Sequence, residues 1–148
     1  MKKALLPLLA AMVMAVGFSS CQHQTMESMD VTIRGGDNGS YGDWTALANG
    51  QLICTVRWDA LDEDVVDFGT VNAYYIEGNR QHILPYIIPV DCSTYDDNGN
   101  VLNELYVGEN LRFDYNYGEI TFTLQDLDNN LPTGNIPSMT IRVVAIGD

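Results

Sequence analysis

Two short acidic stretches, DDNGN at 96–100 and DLDNN at 126–130, contain residue types that could bind a metal ion. Calcium takes six to eight oxygen ligands, which carboxylate and amide side chains can supply. The candidate ligands are Asp96, Asp97, Asn98, Asn100, Asp126 and Asp128. An EF-hand loop has glycine at its sixth position, where these stretches have Val101 and Leu131. Because Asp and Asn are also typical of hairpin turns, calcium binding and turn formation are both open.

Aromatic side chains in predicted loops could form a binding platform, because flat rings stack on the faces of sugars. Loops on a rigid scaffold are where binding residues concentrate. The candidates are Tyr41, Trp44, Tyr95 and Tyr117. The alternative is that these rings are half-buried and contribute to packing.

The residues needed for catalysis or for zinc binding do not form a recognisable set. His82, in GNRQHILPY, is the one histidine outside the N-terminal segment, and a solvated hairpin position is expected for it. The chain has no G-x-S-x-G motif for a nucleophilic serine. Two cysteines and one histidine do not complete a four-ligand zinc site, and there is no G-x-x-x-x-G-K phosphate loop. We therefore expect a non-enzyme, with no cofactor unless calcium binds at the acidic stretches.

The elements that position these residues are predicted to be β-strands, because apolar and polar residues alternate along most of the chain. The predicted strands are 31–34, 52–58, 70–76, 81–87, 111–116, 120–125 and 139–146, with 101–107 as an eighth. Turn residues separate them, and NLRFDYNYGEITFTLQD is the strongest hairpin signal. Seven or eight short strands indicate an all-β fold, a single antiparallel β-sandwich of the immunoglobulin-like type.

One segment, DALDEDVVDFG, departs from the strand pattern. Asp59 can cap a helical turn, acidic residues follow it, and Gly69 can end it. We predict a short helical crossover between two strands.

The N-terminus has the layout of a secretion signal. Lys2 and Lys3 precede the uncharged apolar run 4–18, and two serines lead to Cys21. This ending resembles the lipobox of bacterial lipoproteins, in which the cysteine receives lipid and becomes the new N-terminus. The usual motif has Leu and a Gly or Ala where this chain has Phe18 and Ser20. The predicted organisation is a signal peptide at 1–20, a lipidated tether at 21–29 and a β-sandwich at 30–148.

Lipidation of Cys21 would attach the protein to a bilayer, because two or three acyl chains anchor far more firmly than one. By resemblance to lipoprotein sorting, Gln22 implies the outer membrane, and a tether with Glu27 as its only acid leaves the cell surface and the periplasmic face both open. An ordinary cleaved signal and a transmembrane helix are the alternatives, although the run is shorter than the about 20 residues of a span.

Cys54 and Cys92 also leave two alternatives. The predicted compartment permits a disulfide, but Cys54 lies in the alternating run LICTVRW, where a small core residue is expected. Their spacing cannot show whether the two backbones approach within bridging distance.

The charge of the chain excludes one class of partner. The whole sequence has a net charge of −13, and loss of both lysines with the signal leaves five arginines against 20 acids, or −15. Binding to nucleic acid depends on Lys and Arg that neutralise phosphates, so no nucleic-acid partner is expected. Solubility explains such acidity, and attraction for cations or basic partners is the functional alternative.

Several stretches resemble a group of small uncharacterised Bacteroidetes outer-membrane lipoproteins. They are LDEDVVDFGTVNAYY, ILPYIIP, FDYNYGEITFTLQDLD and MTIRVVAI, within about residues 30–146. The resemblance implies a β-sandwich on a lipid anchor and no catalytic residues. The expected function is that of a lipid-anchored, non-catalytic binding or interaction module with a protein or glycan partner. The alternative is a structural or accessory subunit of a surface assembly, including one that captures glycans.

Overall fold

The structure is a computed structural model that describes residues 24–37, 39–127 and 134–147. Most of these residues lie in β-strands along which apolar and polar side chains alternate. The strands are β1 Thr25–Ile33, β2 Thr45–Ala46, β3 Leu52–Arg57, β4 Thr70–Glu77, β5 Arg80–Ile83, β6 Tyr86–Asp91, β7 Thr94–Tyr95, β8 Val101–Asn103, β9 Tyr106–Asn116, β10 Glu119–Asp126 and β11 Met139–Gly147. One helix, α1 Glu63–Phe68, lies between β3 and β4 in this part of the chain.

Two antiparallel sheets pack face to face. The first has the strand order β1-β11-β4-β5 and the second β2-β3-β10-β9-β6, while β7 and β8 form a separate pair. Eight of the nine described strands in the two large sheets are longer than two residues. The predicted all-β antiparallel sandwich is therefore confirmed, and its two large sheets contain nine described strands where seven or eight were predicted.

The core lies between the sheets because every second residue of each strand points inward. In β11 the side chains of Ile141, Val143 and Ala145 are buried, and in β10 those of Ile120 and Phe122 are buried. The intervening residues of β11 are half-buried on the outer side. Alternation in the sequence thus corresponds directly to the two faces of each sheet.

The β9–β10 hairpin confirms the strongest turn signal of the sequence. Its register places Phe122 opposite Phe113, and Glu119 opposite Asn116. Gly118 adopts a φ of 71°, which favours glycine because it has no Cβ. The hairpin forms the middle of the second sheet.

The predicted strand 81–87 is wrong as one element. The chain bends at Leu84–Pro85, which is a cis peptide, and continues in the other sheet. Residues before the bend form β5 in the first sheet, and residues after it form β6 in the second. Proline lacks the N–H that an uninterrupted strand would use, which accounts for the break.

The predicted tether at 21–29 is also too long. Strand β1 begins at Thr25, which lies opposite Gly147, and Met29 lies opposite Val143. Backbone hydrogen bonds with β11 hold these residues although their side chains lack a simple apolar pattern. The signal peptide and Cys21 lie outside the described residues.

Helix α1 is capped by Asp62 and not by Asp59. The Asp62 carboxylate accepts a hydrogen bond from the Val65 N–H at 3.0 Å, and Gly69 ends the helix. Asp59 instead belongs to a turn closed by the Leu61 N–H and the Trp58 carbonyl at 3.1 Å. The predicted crossover is confirmed, but its N-cap is three residues later.

The sandwich has two ends that differ in composition. The first end contains Thr25, Gly147 and α1, since β1 starts and β11 ends beside the helix. We call it the anchor-side end, because the predicted lipidation site Cys21 precedes Thr25 by four residues. The far end contains Asp91, Asp126 and residues 134–136, where Asn135 bridges to Asp91. Among the described residues, no helix combines the length and apolar character needed to cross a membrane.

Candidate functional site

A two-stranded arm projects from the far end. Strands β6 and β9 pair up to Asp91 and Tyr106, and the hairpin continues through β7 and β8. The Cys92 N–H donates to the Leu105 carbonyl at 2.8 Å, which joins the arm to the sheet. We call residues 92–106 the arm.

The tip of the arm is a turn organised by Asp96. Its carboxylate accepts hydrogen bonds from the backbone N–H groups of Asn98 and Asn100 at 2.9 and 2.8 Å, and from the Asn100 amide at 2.9 Å. The Asn100 side chain, followed by its backbone N–H, lowers the pKa of Asp96. These contacts favour turn formation at 96–100, the alternative to calcium binding.

The sides of the arm expose large apolar groups. Leu102 has 69% of its surface exposed, although leucine is among the residue types most often buried. The exposed apolar residues of the arm are Tyr95, Val101, Leu102, Leu105 and Tyr106. A concentration of exposed apolar side chains in one short segment is often found at interaction sites.

A polar cleft of about 460 Å³ lies at the base of the arm. It is lined on one side by Asp91 and Tyr95 and on the other by Asn135. The Asp91 carboxylate accepts from the Ser93 N–H at 2.8 Å and from the Tyr95 hydroxyl at 3.1 Å. Hydrogen bonds with Ser93 contribute most to lowering the pKa of Asp91. The carboxylate is therefore ionised at neutral pH. The cleft therefore offers hydrogen-bonding groups next to the apolar arm.

The four predicted aromatic ligand residues do not come together. Trp44 is only 5% exposed and belongs to the core, so its assignment to a binding surface is wrong. Tyr41 is partly buried against the same core. Tyr95 is exposed on the arm, whereas Tyr117 is exposed near α1, where its hydroxyl donates to Asp67 at 2.6 Å. The two exposed rings thus lie at opposite ends of the sandwich.

Glu109, which was absent from the predicted sites, lies buried at the far end. It is only 1% exposed and lies opposite Ile88 on one side and Asp126 on the other. Its Oε2 atom has no hydrogen-bond partner. Desolvation, with a smaller contribution from the Asp126 charge, raises the pKa of Glu109 to about 7. The alternation in β9 could have identified this position, since Glu109 shares the inward face of Leu111.

The other predicted metal ligands remain separate. Asp126 lies beside Glu109, while Asp97 and Asn98 are exposed on the arm turn. Asp128 lies outside the described residues. No group of three or more His, Cys, Asp or Glu side chains with metal-binding geometry occurs among residues 24–37, 39–127 and 134–147. Calcium binding therefore stays a prediction.

No disulfide joins Cys54 and Cys92, both of which the structure describes. Cys54 lies in β3 opposite Phe122, and Cys92 follows the last residue of β6. Two strands separate β3 from β6, which corresponds to about 14 Å at normal strand spacing. The disulfide alternative is wrong, because a bridge requires Cα atoms within about 7 Å. Burial of Cys54 raises its pKa, as expected for a core thiol.

His82 has a packing role that the sequence did not indicate. Its ring stacks on Tyr86 with centroids 4.3 Å apart, and Tyr75 stacks on both. Its Nε2 atom lies 3.1 Å from a Glu77 carboxylate oxygen. The ring joins the outermost strands of the two sheets, β5 and β6. His82 thus lies in the β4–β5 hairpin as predicted, and its side chain is partly exposed to solvent.

No protein-family model matches the chain, and no curated protein or solved structure is detectably similar to it.

Proposed function

We propose that the protein is a lipid-anchored, non-catalytic module of the cell envelope that binds a protein partner through the arm. The observation that carries this proposal is the exposed apolar surface of residues 92–106. Apolar side chains on a projecting hairpin gain free energy when a partner removes them from water. Most of the other exposed apolar groups of the described chain are dispersed over the sandwich.

The charge around the arm indicates the chemistry of the partner. Asp91, Asp96, Asp97 and Glu104 lie on or beside the apolar residues, within a chain of net charge −13. Two copies of such a surface repel each other. A segment with apolar side chains flanked by Arg or Lys would complement it, so we expect a different protein and not a second copy.

The position of the arm suits a partner beyond the membrane surface. Only residues 22–24 separate Cys21 from β1, and four residue steps span at most about 14 Å. The anchor-side end would therefore lie close to the bilayer. β9 spans the sandwich with eleven residues, or about 37 Å, and places the arm away from that end.

Glycan capture is a second candidate, favoured by a specific arrangement. Tyr95 and Tyr106 expose their rings near each other, beside the hydrogen-bonding groups Asp91 and Asn135 of the cleft. A sugar could stack on a ring and bind these polar groups. Polysaccharide should then change the tyrosine fluorescence of the protein, and Tyr95→Ala should abolish that change.

Site-specific photo-crosslinking in cells tests the protein-partner proposal. A photoreactive residue at Leu102 is compared with one at Phe68, because their exposed fractions are 69% and 70% and Phe68 is at the anchor-side end. We expect one discrete protein adduct from position 102 and none from position 68. No adduct at 102, equal adducts at both sites, or an adduct with the mass of a dimer of this chain would contradict the proposal.

A further inference from the structure

Two rows of outward-facing side chains cross the first sheet next to the anchor-side end. In each row a residue of β1 lies opposite one of β11, which lies opposite one of β4. These residues face outward because the alternate residues Val71, Val143 and Ala145 are buried in the core. The rows are Met26, Ile146 and Thr70, followed by Ser28, Val144 and Asn72, and we call these six residues the anchor-side patch.

The anchor-side patch exposes apolar groups where the outer face of an antiparallel sheet is usually polar. Met26 has 72% of its surface exposed, and Val144 and Ile146 are half-buried. Met26, Ser28 and Val144 line one open depression, so their side chains are neighbours. Exposed apolar surface that is concentrated in this way occurs at sites of contact with proteins or membranes.

The anchor-side patch is also uncharged, within a chain of net charge −13. In the next row of the same face Asp30 lies opposite Arg142, and the two side chains form an ion pair at 2.8 Å, so their charges compensate each other. Removing a neutral apolar surface from water avoids the free-energy cost of burying charge. The patch can therefore be covered more easily than the acidic remainder of the domain.

The position of the patch determines what can cover it. Only residues 22–24 lie between Cys21 and Thr25, and four residue steps span at most about 14 Å. A folded domain of about 100 residues has a radius of gyration of about 13 Å, so a globular partner does not fit between a bilayer that holds Cys21 and this end. The bilayer itself is close enough. Phe68, which is 70% exposed and precedes Thr70 by two residues, adds an apolar ring beside the patch.

We propose that the anchor-side patch and Phe68 contact the bilayer to which Cys21 is attached. The inference rests on the proposed lipid anchor and adds a second contact, made by the protein surface itself. Apolar side chains at such a contact enter the boundary between headgroups and acyl chains by about 5–10 Å. Glu63, Asp64 and Asp67 of α1 lie at the same end and repel anionic headgroups, so the surface suits a bilayer of zwitterionic lipids. The contact holds the domain in one orientation, with the arm directed away from the bilayer.

Photo-crosslinking to lipid tests this contact. The lipidated protein is purified from the membranes of the cells that produce it and is reconstituted into phosphatidylcholine vesicles, with a photoreactive residue at position 72 or position 27. Asn72 lies on the patch but far from Cys21 along the chain, whereas Glu27 is exposed, close to Cys21 and on the opposite face of β1 from Met26. Phospholipid adducts from position 72 should exceed those from position 27 by about fivefold or more, because tethering alone would favour position 27.

A charge placed on the patch should release the domain from the bilayer without detaching the protein. Met26→Glu should lower the lipid adducts from position 72 by about tenfold, because a carboxylate that enters the apolar part of the bilayer costs free energy. Thr32→Glu adds the same charge on the same face of β1 but farther from the anchor-side end, so it should retain the adducts. Both replaced side chains are exposed, so both variants should fold, which urea unfolding checks.

The outcomes separate this contact from the anchor. Flotation of the protein with the vesicles in a density gradient shows that the lipid anchor is present. If the protein floats but positions 27 and 72 give equal adducts, or if Met26→Glu retains the adducts, the patch contact is wrong and the anchor stands. A wild-type protein that does not float would overturn the anchor and this inference together.

Discussion

Thr25 lies directly opposite Gly147, at the end of the sandwich where Gly147 also contacts Val65 of α1. The first described strand therefore starts four residues after Cys21. A lipid on Cys21 would hold the edge strand β1 near the bilayer and leave little freedom for the domain to move away. Membrane attachment should depend on that one cysteine.

Replacement of Cys21 tests the anchor. Cys21→Ala should eliminate labelling by radioactive palmitate and move the protein from the membrane fraction to the soluble fraction, because a single sulfur carries the acyl chains. Cys54→Ala is the matched control, since Cys54 is a thiol inside the sandwich. A Cys21→Ala protein that remains with the membrane would refute the anchor.

The helix cap provides a test of the local structure. Asp62→Ala should lower the free energy of unfolding by about 1 kcal/mol, because the Val65 N–H loses its acceptor. Asp59→Ala, which removes an equal charge from the adjacent turn, should change it by less than about half of that. Urea unfolding of both variants measures the difference, and equal losses would argue against the assigned cap.

Glu109 should make stability fall as pH rises. Its pKa of about 7 in the folded protein lies above its ordinary value of 4.5. Between these values the folded chain keeps a proton that the unfolded chain has lost. The free energy that this protonated carboxyl contributes to folding is fully present below about pH 4.5. It is lost as pH rises through about 7.

Glu109→Gln isolates this effect, because the amide cannot ionise. Without divalent cations, the wild type should lose stability relative to Glu109→Gln across that window, with a slope of at most about 1.4 kcal/mol per pH unit. Urea unfolding at several pH values gives the difference between the two proteins. Asp91 and Asp96 also have lowered pKa values, but they affect the wild type and Glu109→Gln equally. Their contributions therefore cancel in the difference between the two stabilities. A difference that is constant with pH would contradict the buried, protonated carboxyl.

The sequence pattern correctly predicted the strands that have one apolar face and one polar face. In β3, Cys54 and Val56 alternate with the exposed Thr55 and Arg57. The β9–β10 hairpin combines alternation with a Gly118 turn. Side-chain period and turn chemistry are local properties, so they can be identified from neighbouring residues. The same reasoning identified α1 but misplaced its cap, since Asp59 and Asp62 are both suitable cap residues by type.

The missed features depend on contacts between distant residues. Residues 25–29 form a strand because β11 is beside them, and the strand 81–87 is divided because Pro85 redirects the chain. Trp44 was assigned to a loop surface although tertiary packing buries it. The alternation in β9 places Glu109 inward, but its raised pKa comes mainly from burial by the surrounding strands and to a lesser extent from Asp126. Local composition does not contain these contacts between distant residues.

The apparent mass of the solubilised protein tests the central claim, that the arm binds a partner. Val101→Glu on the arm is compared with Ile83→Glu on β5, because both replace exposed β-branched strand residues, at 56% and 58% exposure. Gentle detergent extracts are analysed by size-exclusion chromatography. The wild type and Ile83→Glu should elute earlier than Val101→Glu, because only the first two remain in a complex with the partner. Identical elution of all three would contradict the proposal.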